Sequence, residues 1–174
     1  MHCRKSAQHK ASLLTLIFHF VPDPQLRESS QYLHFNLGGV HYLLSSSASE
    51  AIELRDNLTV NTAAVGNVGA WRSNDDTRWP AYCLDRDLLV SREDAWERAI
   101  FLDARPNPVG LLANQVQMLP SGETEVVPFT PLGPPPTSAG HLFTGAWVRG
   151  PQVVLVFDPA ALTAYLQGLE PQPA

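Results

Sequence analysis

Tyr32-Leu33-His34-Phe35-Asn36-Leu37-Gly38-Gly39-Val40-His41-Tyr42-Leu43-Leu44 is the stretch that decides the fold class. Leu33, Phe35 and Leu37 alternate with Tyr32, His34 and Asn36, the two-residue period of a strand with one apolar face. Gly38-Gly39 then supplies a two-residue turn whose central positions both accept positive φ, which suits the twist of a hairpin. Pairing across this turn sets Leu37 against Val40, Phe35 against Tyr42 and Leu33 against Leu44. These six share one face, and His34, Asn36 and His41 occupy the other. The hairpin is therefore expected to cover a core on one side and to meet water or a partner on the other.

Outward from the hairpin, further strands are expected at Ala51 to Arg55, Val68 to Ser73, Arg78 to Asp85, Ala99 to Asp103, Val109 to Val116, Glu125 to Phe129, Leu142 to Val148 and Gln152 to Phe157. Short strands at this spacing suggest barrels. The unbroken apolar runs Ala99 to Leu102 and Val153 to Phe157 fit strands buried on both faces, whereas Pro80 belongs at an edge or a strand start. Helix is scarce. Asp158 suits an N-cap and Pro159 the first helical position, and Leu162, Tyr165, Leu166 and Leu169 form a stripe that would pack a C-terminal helix onto a barrel. A shorter helical turn is expected over Ser91 to Glu97, with Ser91 and Asp94 resembling a capping box. Pro128, Pro131 and Pro134-Pro135-Pro136 favour an extended connection, and a ligand for a proline-reading groove is the lesser reading.

Composition narrows the function. Apolar residues are 44% of the chain and charged residues 17%, a balance that suits a globular protein, and no apolar run reaches the length of a membrane-spanning helix. A net charge of −5, with twelve Lys plus Arg and no dense basic cluster, argues against nucleic acid as a partner. Cys3 and Cys83 are the only cysteines, which implies neither a disulfide framework nor a thiolate metal site and suits a reducing cytoplasm. Residues 1–30 imitate a signal peptide poorly, because His19 interrupts the apolar stretch and no small-x-small cleavage site follows. They read as an unstructured leader, and residues 170–174 as a tail. Asn57-Leu58-Thr59 matches a glycosylation acceptor, which matters only for a secreted protein.

An internal echo follows from the same strands. Gly69-Ala70-Trp71-Arg72 recurs as Gly145-Ala146-Trp147 with Arg149 shortly after, and each copy precedes a strand that ends in aspartate, Asp85 or Asp158. The spacing suits two similar small barrels in tandem.

Taken in order, Val109 to Val116, the proline stretch, Thr144-Gly145-Ala146-Trp147 and Val153 to Asp158 resemble the second half of CheW-like chemotaxis adapters. Tyr32 to Leu44 is similar to that family's opening hairpin. Gly69 to Arg72, followed by Pro80 to Leu84, resembles its glycine-to-arginine segment and the proline-led strand after it. The resemblance covers residues 31–169. It implies a mostly β fold of two interlocked, five-stranded SH3-like barrels with a short C-terminal helix, divided into a first half at about 31–98 and a second at 99–169 with strand exchange between them. It also implies a cytoplasmic, non-catalytic scaffold without cofactors that binds a chemoreceptor cytoplasmic tip and a CheA-like histidine kinase. The family's usual asparagine-leucine-arginine-glycine stands here as Ala70-Trp71-Arg72-Ser73, and its customary aspartate as Asn114. Such departures occur in pilus-type motility systems as well as flagellar ones, and they put partner identity in question more than fold.

The candidate contact residues are Arg72, Trp71, Ser73 and Asn114. A guanidinium at a strand end can grip a carboxylate or carbonyl pair, although a surface ion pair with Asp75 or Asp76 explains Arg72 equally well. Trp71 and Trp147 are exposed anchors on one reading and core on the other. Gly38, Gly39, Gly110 and Gly145 are structural. His34 and His41 share a face but lack a third ligand at a metal-site spacing, and Asp75-Asp76 or Asp85 with Asp87 make weak catalytic pairs. The rival to an adapter is a β-barrel that senses or carries a small molecule, which needs an enclosed apolar cavity where an adapter needs packed barrels.

Overall fold

In the computed structural model, residues 31–63, 66–74, 77–92, 95–130 and 132–169 are described. The opening hairpin forms as its alternation requires. β1 (Tyr32–Leu37) and β2 (Val40–Ser45) pair antiparallel with Leu33 opposite Leu44, Phe35 opposite Tyr42 and Leu37 opposite Val40. Gly38 and Gly39 both take positive φ, 52° and 89°, and the Asn36 side-chain oxygen accepts the Gly39 N–H at 2.9 Å. A Cβ on Gly38 would run into the backbone of Asp85 and Arg86, so the turn needs glycine there for space as well as for φ.

The other strands are β3 (Ser49–Leu54), β4 (Thr59–Val60), β5 (Val68–Asn74), β6 (Thr77–Cys83), β7 (Arg98–Leu102), β8 (Val109–Leu119), β9 (Val126–Pro128), β10 (Phe143–Arg149) and β11 (Gln152–Phe157). One helix, α1 (Pro159–Gln167), follows; the Asp158 side chain accepts the Ala161 N–H at 2.8 Å and caps it, with Pro159 in the first turn. All eight strands expected beyond the hairpin are present, and the two-residue β4 is an addition.

Two six-membered strand sets arise from these pairings. One runs β4-β5-β6-β8-β7-β3 and the other β9-β10-β11-β2-β1-β8. Each contains one parallel contact, β6 with β8 and β11 with β2, and the remaining contacts are antiparallel. Strand β8 belongs to both: Val109 to Ala113 lies between β6 and β7, and Asn114 to Leu119 pairs with β1. The switch occurs at a bulge, where His34 and Asn36 of β1 face Gln117 and Asn114 of β8 and Gln115 takes a left-handed φ of 53°.

Each set coils around its own apolar cluster. Ala51, Val60, Ala70, Ala81, Phe101 and Leu112 bring one residue from every strand of the first set into a single cluster. Tyr32, Leu43, Leu119, Val126, Trp147 and Val154 do the same in the second. Strands about 4.8 Å apart would hold the outer members of a flat six-stranded sheet roughly 24 Å apart, so one cluster fed by all six requires each sheet to curl into a barrel. A third and larger cluster fills the space between the barrels. There Leu33, Phe35, Tyr42 and Leu44 of the hairpin meet Ile100, Leu111 and Phe157, and Leu162 and Leu166 of α1 pack onto them.

Several expectations change. The reverse face of the hairpin is not simply solvated, because Leu43 on that face is fully buried in the second barrel. Val153, expected inside, is 62% exposed beside the β10–β11 turn. No helical turn forms at Ser91, Arg92 or Ala95 to Glu97, and Asp94 of the expected capping box lies outside the described residues. Both ends are tied to neighbouring strands instead: the Ser91 N–H donates to Cys83 O, the Glu97 N–H donates to Ala113 O, and Trp96 is buried in the first barrel. Pro80 sits inside β6, but only opposite β5; parallel pairing with β8 begins at Ala81, so no second ladder needs its missing N–H.

The echo marks two equivalent hairpins, yet its letters are one place out of register. Both hairpins carry a bulge at the same point, between Val68 and Ala70 in β5 and between Phe143 and Gly145 in β10. Val68 therefore corresponds to Phe143, Ala70 to Gly145 and Tyr82 to Phe157. The letter match instead joins Ala70 to Ala146, which face opposite ways: Ala70 lies in the first barrel's own cluster, whereas Ala146 pairs with Leu155 of the shared core.

Candidate partner-binding surfaces

Arg72 faces the inside of the first barrel near the β5–β6 turn, opposite Trp79. Three strands hold it. Glu53 of β3 places a carboxylate oxygen 2.9 Å from Nε, and the guanidinium lies 4.7 Å above the Trp79 ring of β6 and 5.6 Å from that of Phe101 in β7. Arg72 and Glu53 keep 24% and 21% of their side-chain surface exposed, so the ion pair contributes about 0.2–1 kcal/mol and the ring contact a comparable amount. The main effect is orientation, since the guanidinium is fixed between a carboxylate and an aromatic plane. Asp75 and Asp76 lie outside the described residues, and Glu53 was not recognised in the sequence as the ion-pair partner. Its signal was present: Glu53 is in phase with Ala51, which places a carboxylate on the inward face of β3.

The four candidate contact residues do not form one surface. Trp71 and Ser73 alternate with Arg72 along β5. Trp71 packs against the core between the barrels, with the Arg78 guanidinium 5.0 Å above its ring, and Ser73 is exposed. Asn114 lies at the strand switch of β8, in a small cleft with Asn36, Gly38 and Trp96, and its Oδ1 is buried without a hydrogen-bond partner among the described residues. Gly110 and Gly145 hold close strand contacts: a Cβ would meet the Phe101 ring at 2.8 Å in the first case and Val127 O at 2.5 Å in the second. Trp147, the second candidate anchor, points into the second barrel and is partly buried.

His34 and His41 stack at one end of the second barrel, with ring centroids 4.8 Å apart. Among the described residues no three His, Cys, Asp or Glu side chains gather as a metal site. Cys83 is buried, 8% exposed, in the first barrel's cluster. Each barrel carries its own cluster of apolar side chains in its interior.

The chain is thus a mostly β protein of two barrels, each of six strands where five were expected because β8 serves both, finished by a C-terminal helix. No family model matches it, and neither does any curated protein. Among solved structures it is similar to the scaffolding protein TtCheW from Thermoanaerobacter tengcongensis, with 13% identity and a TM-score of 0.49 over 74% of this chain and 88% of that chain. No helix among the described residues is long and apolar enough to cross a membrane.

Proposed function

We propose that this chain is a non-catalytic scaffold of a bacterial chemosensory system, of the chemotaxis or pilus-motility kind, that couples a chemoreceptor cytoplasmic tip to a CheA-like histidine kinase in the cytoplasm. One observation carries the reading: the segments that resemble CheW-like adapters, Tyr32 to Leu44, Gly69 to Arg72 with Pro80 to Leu84, Val109 to Val116, and Thr144 to Trp147 with Val153 to Asp158, fall on β1, β2, β5, β6, β8, β10 and β11, which include both parallel contacts and the shared strand of the two barrels. Barrels with apolar side chains inside leave the outer faces and the seam between them as the places where another protein can dock. Small contacts of this sort become strong when an array repeats them. Arg72, oriented by Glu53 at its Nε and by the Trp79 ring, is the proposed anchor for a partner carboxylate or carbonyl pair.

The test is direct binding of the full chain to a chemoreceptor cytoplasmic fragment and to a CheA-like kinase from the same genome. Binding to at least one is expected, with Arg72→Ala weakening it about tenfold, the scale of a moderate hot spot, and Glu53→Gln weakening it less. Failure to bind either protein overturns the reading.

A further inference from the structure

One end of the second barrel reverses the charge of the whole chain. His34 of β1 and His41 of β2 stack with their planes 18° apart, Trp147 of β10 meets His34 edge-on at 6.3 Å, and the Arg149 guanidinium lies 5.7 Å from the Trp147 ring. With Val40, Val153 and Val154 these groups line an open cleft of about 270 Å³. The charged and titratable groups of the cleft are His34, His41 and Arg149; β8 adds the neutral Gln117, 3.0 Å from His34 Nδ1, and β11 adds the neutral Gln152. Among the described residues no carboxylate lines this cleft, although the chain carries a net charge of −5. His41 Nδ1 is buried without a hydrogen-bond partner, while Val40 and Val153 offer exposed apolar surface at the rim.

We infer that this cleft receives the carboxylate side chain of an acidic residue, with an apolar neighbour, from a peptide segment of a protein partner. Arg149 offers a planar fork for a carboxylate and the paired imidazoles add charge when protonated, while the valines and Trp147 suit an adjoining aliphatic side chain. The volume is below that of an ordinary small-molecule site, which favours one or two side chains over a whole metabolite. The cleft lies on the other barrel from Arg72, so this site goes beyond the proposed adapter contact and does not depend on it.

Burial, then His41 and Arg149, hold the His34 pKa below its usual value. An incoming carboxylate favours the protonated His34 ring, so binding takes up protons and tightens as the pH falls from 8 to 6, where a glutamate remains ionised. The experiment is an NMR titration of the full chain with acetyl-Val-Glu-Val-amide, acetyl-Val-Gln-Val-amide and sodium acetate, following the Trp147 indole and the His34 ring. Saturable shifts are expected with the Glu peptide, about tenfold tighter than with the Gln peptide, the scale of one charge-assisted contact. Arg149→Gln is expected to abolish the difference between the peptides and Arg149→Lys to keep part of it. Arg149 is exposed, and an unchanged amide spectrum elsewhere reports that each variant is folded. Equal affinity for the two peptides, a difference that survives Arg149→Gln, or acetate binding as tightly as the Glu peptide overturns the assignment; the last outcome marks a site for free small anions.

Discussion

A Cβ at Gly110 would stand 2.8 Å from the Phe101 ring and 2.9 Å from Ala81 Cβ, with β6 and β7 hydrogen-bonded on either side of it. Neither neighbour can swing away without moving a strand, so Gly110→Ala overpacks the first barrel. A loss of about 1–3 kcal/mol is expected, seen as a lower urea midpoint at unchanged m-value. His34 supplies a pH dependence. Because burial and its cationic neighbours lower its folded pKa, the unfolded chain binds more protons between that value and 6.5, and stability rises with pH through this window. Its contribution is complete above 6.5 and is lost as the pH falls until the folded ring protonates. Melting temperatures of the wild type should drop on acidification through this range, and those of His34→Gln should drop less. Tyr42 and Tyr165 act at the other end: burial first, then Asp87 and Asp85 for Tyr42 and Asp85 for Tyr165, raises both phenols, so the folded state keeps protons that the unfolded chain loses, and stability declines as the pH rises above 10.0. Tyr165 also donates to Leu88 O at 2.6 Å, a bond that fixes α1 to the loop after β6.

Elements were legible where local chemistry settles them. Alternation and Gly38-Gly39 specified the β1–β2 hairpin down to its register, and Asp158-Pro159 placed the start of α1. Asp158→Ala removes the cap on Ala161 and is expected to cost about 1 kcal/mol, measurable as a shift in thermal midpoint. What stayed hidden depends on partners far along the chain. Strand β8 continues three residues past its expected end because the left-handed Gln115 resets the alternation, and only the pairing of β1 with β8 reveals a strand beyond the bulge. The segment from Ser91 to Glu97 has a cap-like composition, but burial of Trp96 in the first barrel prevails over local preference. The Gly-Ala-Trp echo identified the right hairpins with the wrong register, since a letter match cannot detect a bulge that shifts facing by one residue. The candidate sites followed the same division. His34 and His41 share a hairpin and could be grouped by eye, whereas Gln117, Trp147 and Arg149 join them only through pairings of β1 with β8 and of β11 with β2.

At the scale of the molecule the two barrels are not independent. They share β8, and the largest apolar cluster lies between them, so neither can lose its strands without exposing the common core. Unfolding is therefore expected as a single transition, with calorimetric and van't Hoff enthalpies equal. Phe35→Ala tests this coupling. Phe35 is fully buried in the shared cluster, with ring centroids 6.2 Å from Phe157 and 6.3 Å from Tyr42. Its truncation should cost about 3–5 kcal/mol and lower that one transition without splitting it. Two resolved transitions would show that the barrels melt separately.

The parallel seam that joins Tyr42 and Leu43 to Leu155 and Val156 has a further consequence, for biosynthesis. The ribosome delivers the opening hairpin long before the segment it must lie beside. At ordinary elongation speeds of about 5–20 residues per second that wait lasts roughly 5–20 s. Strands β3 to β8 run consecutively and can begin to associate with one another and with β1 as they emerge, but the outer edge of β2 stays without its partner until β11 is made.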